Sequence, residues 1–233
     1  MIDNLLIKIE NALASTTISS GYDMKMARFL TVEGGEGVGK SSFIELLSHR
    51  LRDKGMAFTL TREPGGTRIA DEIRSVFSKG DDIEEFTPEG EFLLVSAARA
   101  QHVFHKIRPE LEKGRWIICD RFADSSRVYQ GILKGVETDF LESVIQKSTY
   151  GLTPDLTFLL DCDVTVSQAR VAGRGLVESR YDLASLEVHE RLRQGYLQVS
   201  RMFPHRIQVL DASGPREEIV NQAISLIEER FHD

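Results

Sequence analysis

The strongest chemical signal in the sequence is a glycine-rich segment that ends in a lysine and a serine. Residues 34–41 read G-G-E-G-V-G-K-S and complete the pattern G-x-x-x-x-G-K-[ST]. In a loop of this type the unpaired backbone N–H groups attract phosphate, the lysine reaches the β- and γ-phosphates, and the serine hydroxyl is a ligand for Mg²⁺. The sequence therefore predicts a binding site for ATP made of Gly34, Gly35, Glu36, Gly37, Val38, Gly39, Lys40 and Ser41.

The residues on either side of this segment are those that a phosphate loop needs. Residues 28–33 form a short, mainly apolar run that is typical of a strand, and residues 42–47 repeat their apolar positions with helical spacing. The pattern binds phosphate when it joins a strand to a helix, so this context favours a phosphate loop over a chance glycine-rich turn.

Charged residues also follow two other predicted strands. Arg62 comes directly after the run 58–61, and Asp120 and Arg121 come at the end of the run 116–120. An aspartate beside a phosphate loop is suited to hold Mg²⁺ through water, and an arginine offers two parallel donors to a phosphate. Each arginine alone would be interpreted as a solvated surface charge. Their occurrence at consecutive strand ends indicates one anion site.

Strands and helices alternate along the whole chain. Strands are predicted over residues 28–33, 58–61, 116–120, 156–161 and 207–211. Helices are predicted over residues 40–54, 67–77, 89–113 (one long helix or a pair kinked at Pro109), 140–147, 164–173, 182–202 and 216–230. Continuous apolar strands separated by helices predict an α/β fold, a parallel sheet with helices on both faces and ligands at the carboxyl ends of the strands.

The composition narrows the class of protein. The chain has 233 residues, of which 41% are hydrophobic, and its net charge of −7 predicts no partner among nucleic acids or anionic membrane surfaces. Cys119 and Cys162 lie inside apolar runs, which predicts reduced structural cysteines and a cytoplasmic protein. The first 26 residues fit neither a signal peptide nor a membrane span, so we expect a dispensable or disordered extension followed by one domain over residues 27–233.

The motifs together resemble those of the thymidylate kinases, a family of P-loop kinases that phosphorylate dTMP. Besides the phosphate loop, the resemblance rests on T-R-E-P-G-G-T at 61–67, A-A-R-A-Q-H at 97–102, D-R-F-A-D-S-S-R-V-Y-Q-G at 120–131, T-P-D-L-T-F-L-L-D at 153–161, and the arginines Arg174 and Arg180. It implies a P-loop kinase fold with a five-stranded parallel sheet and an arginine-bearing lid over about residues 173–183. It also implies conversion of dTMP to dTDP with ATP and Mg²⁺, in the synthesis of deoxythymidine triphosphate, by a homodimer.

The resemblance further implies a role for each matching residue. Glu36 would accept a hydrogen bond from the 3′-hydroxyl of dTMP, and Arg62 and Arg121 would hold its phosphate, while Arg99 would contact the edge of thymine. The implied dTMP site consists of Glu36, Arg62, Val95, Arg99, Arg121, Ser126 and Tyr129. The implied Mg²⁺ ligands are Ser41 and, through water, Asp120. The implied catalytic residues are Lys40, Arg121, Arg174 and Arg180.

Residue 37 separates two subclasses of the family, and two other features, the length of the lid and residue 95, depart from the family pattern. One subclass of the family carries a basic residue in the phosphate loop directly after the acidic one, but this chain has Gly37 there. Lid arginines would then stabilise the charge of the transition state, and the lid itself is one residue longer than usual. The second departure is Val95, which stands where the family has a phenylalanine that stacks on thymine.

Two other functions remain open at this point. A related P-loop kinase acting on a different nucleotide or nucleoside would share the phosphate loop, although the segments at 61–67 and 120–131 argue against it. A nucleotide-binding module without turnover would lack a catalytic arginine or a magnesium ligand, whereas Lys40, Ser41, Asp120 and Arg121 are all present.

Overall fold

The computed structural model describes residues 27–173 and 181–231, apart from the side chains of residues 79–83. The predicted extension over residues 1–26 and the predicted lid arginines Arg174 and Arg180 lie outside the described residues. No helix within the described part of the chain is long and apolar enough to cross a membrane.

Five parallel strands form one sheet, as predicted. They are β1 (Phe29–Glu33), β2 (Phe58–Arg62), β3 (Trp116–Asp120), β4 (Leu156–Asp161) and β5 (Ile207–Asp211), in the order β2-β3-β1-β4-β5. β1 is the central strand, so its carboxyl end lies between the carboxyl ends of β3 and β4. Asp120 is the register partner of both Val32 on β1 and Arg62 on β2. The charged residues at the three strand ends therefore lie side by side.

Helices connect the strands and cover both faces of the sheet. They are α1 (Lys40–Asp53), α2 (Arg68–Ile83), α3 (Pro88–His102), α4 (Arg108–Glu112), α5 (Ala123–Ser126), α6 (Thr138–Ser148), α7 (Val164–Ala172), α8 (Leu186–Met202) and α9 (Arg216–Phe231). Two π-helical segments, Val103–Ile107 and Arg127–Leu133, continue α3 and α5.

The two faces of the sheet pack into separate clusters because successive side chains on a strand point to opposite sides. On β1, Phe29 packs against Phe122, with ring centroids 4.9 Å apart, in a cluster that includes residues of α3 and α6. Leu30 points to the other face and joins Phe43 of α1 and Val220 of α9. A third cluster, around Tyr129 and Tyr196, joins the second π-helical segment to α8.

The structure departs from the predicted elements in several places. The chain begins α8 at Leu186, not at residue 182, because the Ser185 side chain accepts a hydrogen bond from the backbone N–H of Val188 and caps the helix there. The predicted helix over residues 89–113 continues through Pro109, because α3, the π-helical segment Val103–Ile107 and α4 follow one another without a gap. The helical segment from Ala123 to Leu133 was not predicted.

A buried ion cluster fixes the start of that segment. Asp124 is 2% exposed and accepts hydrogen bonds of 2.6 and 2.7 Å from Arg206, which precedes β5, and one of 3.0 Å from Arg127. Both guanidinium groups also lie over the ring of Phe203. The cluster ties α5, which follows β3, to the residue before the edge strand β5.

We predict that Arg206→Ala lowers the free energy of unfolding by about 3–5 kcal/mol, because it removes a partner from a buried charge. Urea denaturation followed by circular dichroism measures this loss. The matched control is Arg50→Ala, which breaks an exposed ion pair with Glu217 and should cost at most about 1 kcal/mol. Equal losses in the two variants would contradict a structural role for the buried cluster.

Candidate active site

The phosphate loop spans the gap between the end of β1 and the start of α1. Gly39 has φ +98° and lies at the N-cap of α1, so its backbone turns in a conformation that side chains disfavour. The Lys40 ammonium group donates to the carbonyl oxygens of Gly34 at 2.9 Å and Gly35 at 2.7 Å. Burial and the charge of Arg121 lower the pKa of Lys40 to about 8. A phosphate bound nearby would stabilise the protonated form of Lys40.

The structure explains why residue 37 is glycine. Its φ is +75°, and a Cβ atom there would overlap the backbone carbonyl of Ser167 in α7. An arginine at this position would therefore require α7 to move. This packing excludes the basic residue that the other subclass carries at position 37. The corresponding positive charge must then come from another segment.

Glu36 projects from the phosphate loop toward the end of β3. Its Oε1 atom accepts hydrogen bonds from the Tyr129 hydroxyl at 2.7 Å and from the Arg121 guanidinium at 3.1 Å. Burial by itself raises the pKa of Glu36, but the charges of Arg121 and Lys40 outweigh it and lower the pKa below the ordinary value. Glu36 is thus a charged acceptor between the loop and β3.

Arg121 holds an unusual backbone conformation directly after β3. Its φ is +66°, a strained value for a residue with a side chain. The guanidinium donates to the Tyr196 hydroxyl at 2.7 Å and to Ser125 Oγ at 3.3 Å, and it lies over the ring of Tyr129. The strain and the contacts together hold the guanidinium above the phosphate loop.

Glu33, which sequence reasoning did not single out, organises the same region. It is 1% exposed, and its carboxyl group accepts from the backbone N–H of Phe122 at 2.7 Å, Ser125 Oγ at 2.6 Å and the Tyr196 hydroxyl at 3.2 Å. Burial and the neighbouring Asp124 raise the pKa of Glu33 to about 7, against the effect of Arg121. The feature of the sequence that could have identified Glu33 is a glutamate at the end of an otherwise apolar strand.

The two residues predicted to hold Mg²⁺ both carry side-chain oxygen atoms. Asp120 ends β3, and its Oδ1 atom is buried without a hydrogen-bond partner among the described residues. Ser41 lies in the first turn of α1, beside Lys40. Mg²⁺ in nucleotide sites is held by one or two such oxygens together with phosphate and water. The chemistry of this pair therefore fits the ion.

A second buried network surrounds Arg99 on α3. Arg99 is 3% exposed and donates to Glu63 at 2.8 Å and to Ser126 Oγ at 2.9 Å. The other oxygen of Glu63 lies 3.0 Å from His102, whose second ring nitrogen lies 2.6 Å from Thr61 Oγ1. Arg99 keeps one buried nitrogen, Nη1, without a partner in the described part of the chain. That nitrogen is available to a ligand.

Arg62 and a second arginine flank this network. Arg62 ends β2 and is exposed. Arg74, which was not predicted, projects from α2 and donates to the carbonyl oxygen of Pro64 at 2.9 Å. Burial and the charge of Arg62 lower the pKa of Arg74, while Asp120 opposes the shift. The two guanidinium groups therefore add positive charge beside the end of β3.

A cavity of about 330 Å³ opens on the opposite side of the phosphate loop. Gly37 and Gly39 of the loop, Phe43 of α1, and Ala212 and Gly214 after β5 line it. Arg170 of α7 also lines it and donates to the Ala212 carbonyl oxygen at 3.0 and 3.1 Å. The cavity has the size of a small-molecule site and adjoins the loop that is suited to phosphate.

Comparison with known sequences decides the family. The sequence profile of the thymidylate kinases matches residues 32–224. The chain belongs to the thymidylate kinase family. It is therefore an enzyme, an ATP-dependent kinase that acts on nucleotides.

Individual thymidylate kinases match over most of the chain. The thymidylate kinase of Deinococcus radiodurans is 44% identical over 209 residues, which cover 90% of this chain and 100% of that protein. That of Desulfovibrio desulfuricans is 42% identical over 208 residues, covering 86% and 94% of the two chains. That of Pelobacter propionicus is 40% identical over 207 residues, covering 87% and 94%.

This thymidylate kinase brings most of its predicted site residues to one edge of the sheet. Glu36, Arg121 and Tyr129 are in direct contact, and Arg99 contacts Ser126. Val95 is 6% exposed on the same helix as Arg99. Phe92, an aromatic residue on the same helix, is fully buried in the core against Phe140 and is not free to stack on a base.

We predict that the stability of the wild type relative to Glu33→Gln falls as the pH rises from 5 to 8. The pKa of Glu33 is about 7 in the folded chain against 4.5 as the ordinary value, so the folded state retains its proton at pH values where the unfolded state has lost it. The resulting stabilisation is complete below about pH 4.5 and is lost as the pH passes 7.

Urea denaturation of both proteins at several pH values measures this difference. The control is Glu137→Gln, because Glu137 is exposed and its pKa is lowered by the backbone N–H groups of Asp139 and Phe140. Its difference from the wild type should stay constant between pH 5 and 8. A constant difference for Glu33→Gln as well would contradict the raised pKa.

Proposed function

We propose that this enzyme transfers the γ-phosphoryl group of ATP to the 5′-phosphate of dTMP, and so supplies dTDP for the synthesis of deoxythymidine triphosphate. The observation that carries the proposal is the direct contact between Glu36 of the phosphate loop and Arg121 at the end of β3. It supports the proposal because a carboxylate that can accept from a sugar hydroxyl and a guanidinium that can bind a phosphate lie together beside the phosphate loop.

The donor side is proposed to be the phosphate loop with its adjoining cavity. The loop N–H groups and Lys40 bind the triphosphate, and the cavity beside Arg170 accepts the base and sugar of ATP. Mg²⁺ is proposed to bind Ser41 and, through water, Asp120. When bound, the ion neutralises charge on the phosphates.

The acceptor side is proposed to be the cleft around Arg121. Arg62 and Arg121 hold the phosphate of dTMP, while Glu36 and Tyr129 contact its sugar. The free nitrogen of Arg99 donates to the edge of thymine, and Ser126, through its bond to Arg99, fixes the direction of that donor. Val95 packs against the ring without stacking. Recognition of thymine then depends more on the hydrogen bonds of Arg99 than on an aromatic contact.

Catalysis is proposed to depend on position and charge. The loop and the arginines bring an oxygen of the dTMP phosphate in line with the γ-phosphorus of ATP. Lys40 and Arg121 stabilise the charge of the transferring group. Since the packing around Gly37 excludes a second cation at that position of the loop, the lid arginines Arg174 and Arg180 supply the rest of the positive charge.

The homodimer is also a proposal, supported by exposed apolar side chains on α2, on α3 and on the π-helical segment that continues α3. Ile69 and Val76 of α2 are 56% and 52% exposed, and Leu93 and Phe104 after them are 49% and 53% exposed. Apolar residues grouped on helices in this way are typical of a subunit interface. The free, buried cysteines are consistent with a reducing, cytoplasmic setting.

An assay that couples ADP formation to NADH oxidation tests the proposed function. With ATP and Mg²⁺ we expect the highest kcat/KM for dTMP among dTMP, dUMP, dCMP, dGMP and thymidine. Lys40→Ala serves as the inactive control, because loss of such an electrostatic contact lowers kcat by about 10²–10³-fold. A higher kcat/KM for another nucleotide, or for thymidine, would identify a different kinase.

We predict that Arg174→Ala or Arg180→Ala lowers kcat far more than it raises the KM for dTMP. The reason is that a lid arginine interacts mainly with the transition state, and loss of such an arginine costs roughly 10³-fold or more. Steady-state kinetics with Arg201→Ala, an exposed arginine on α8, as control measures the effect. Near-normal kcat in both single variants and in the double variant would exclude these residues.

A further inference from the structure

One oxygen of Glu36 is unused by the contacts described above. Tyr129 and Arg121 both donate to Oε1, whereas Oε2 is buried and has no hydrogen-bond partner among the described residues. A buried carboxylate oxygen without a partner is costly, so such an atom usually has a ligand or a water molecule.

His189 is the polar side chain that lies behind this oxygen. It is 4% exposed in the first half of α8, and its Nδ1 atom lies 4.0 Å from Glu36 Oε2. Its Nε2 atom is also buried without a partner in the described ranges. A separation of 4.0 Å is too long for a direct hydrogen bond but suits one bridging water.

The helix that carries His189 is held firmly in place. The Ser185 side chain caps α8 just before His189, and Arg193, one turn after it, donates to both oxygens of Asp161 at 2.8 and 3.0 Å. The position of the imidazole is therefore set by α8 and β4, independently of the phosphate loop.

A small cavity lies between these groups. It is lined by Gly34, Gly35 and Glu36 of the loop together with Ser167, His189 and Tyr196, and it offers about 20 Å³ to the centre of a water molecule. About 10–15 Å³ is enough for one ordered water if polar partners are present. Glu36 Oε2 and the His189 imidazole are such partners. Either tautomer of the histidine suffices, because Nδ1 donates to the water when it carries the proton and accepts from it when it does not.

We propose that His189 is a positioning residue for Glu36 and acts through one ordered water in this cavity. Held from behind at Oε2, Glu36 keeps Oε1 fixed between Tyr129 and Arg121, where the sugar of the acceptor is bound. His189 thereby controls recognition of the 3′-hydroxyl group without touching the nucleotide. The inference rests on the proposed function, in which Glu36 accepts a hydrogen bond from that hydroxyl.

Kinetics with a substrate that lacks the hydroxyl tests the inference. The quantity to measure is the ratio of kcat/KM for dTMP to kcat/KM for 3′-deoxythymidine monophosphate. His189→Phe keeps the ring shape but removes both nitrogens, and we expect the ratio to fall about tenfold, the scale of one weakened hydrogen bond to a charged group. His189→Gln, which still donates and accepts, should keep the ratio within about twofold of wild type.

Two further variants separate the inference from the proposed function. Glu36→Gln should lower the same ratio, and the double variant with His189→Phe should lower it no further, because both changes act on one interaction. His205→Phe, at an exposed histidine after α8, should leave it unchanged. If Glu36→Gln reduces activity on both substrates equally, the proposed role of Glu36 fails. If Glu36→Gln lowers the ratio but His189→Phe reduces activity on both substrates equally, Glu36 keeps its role and the inference about His189 is wrong.

A crystal structure of the wild-type enzyme provides an independent test that needs no variant to fold. A water molecule bonded to both Glu36 Oε2 and the His189 ring is the expected result. An imidazole turned away from Glu36, or a cavity filled by another side chain, would overturn the inference.

Discussion

The site depends on the buried carboxyl group of Glu33, because this one group joins the central strand to the segment that follows β3. It accepts hydrogen bonds from Phe122 and Ser125 on that segment and from Tyr196 on α8. Ser125 and Tyr196 are also the partners of Arg121. The phosphate loop, which begins at the next residue after Glu33, is therefore fixed relative to Arg121.

This arrangement places charges of both signs close together in a protein whose net charge is −7. Lys40 and Arg121 lie beside Glu36 and Asp120. Burial and the charge of Arg121 lower the pKa of Lys40, while burial raises the pKa of Glu36 but the charges of Arg121 and Lys40 outweigh it and lower it. In a partly buried site, a neighbouring opposite charge offsets part of the free-energy cost of burying each charged group before a ligand binds. A phosphate can then take over contacts that the carboxylates make in its absence.

Hydrogen-bond networks behind the contact residues recur in both halves of the acceptor site. Glu63 and His102 hold Arg99 at the proposed base site, and His102 is anchored in turn by Thr61. Glu36 at the proposed sugar site has Tyr129 and Arg121 on one oxygen and His189 behind the other. These supporting residues restrict the orientation of the side chains that are proposed to contact the ligand. The restriction matters most at the proposed base site, where Val95 supplies no aromatic face.

The sequence by itself determined the family, the five parallel strands and the loop that binds phosphate, because these follow from local spacing along the chain. It also placed Arg62, Asp120 and Arg121 at strand ends, since parallel strands end at one edge of the sheet. Only the tertiary structure revealed the surroundings of Glu33, Arg74 and His189. The groups that Glu33 and His189 face are distant in sequence, as Glu33 and Tyr196 are 163 residues apart, and local periodicity does not indicate contacts of that kind.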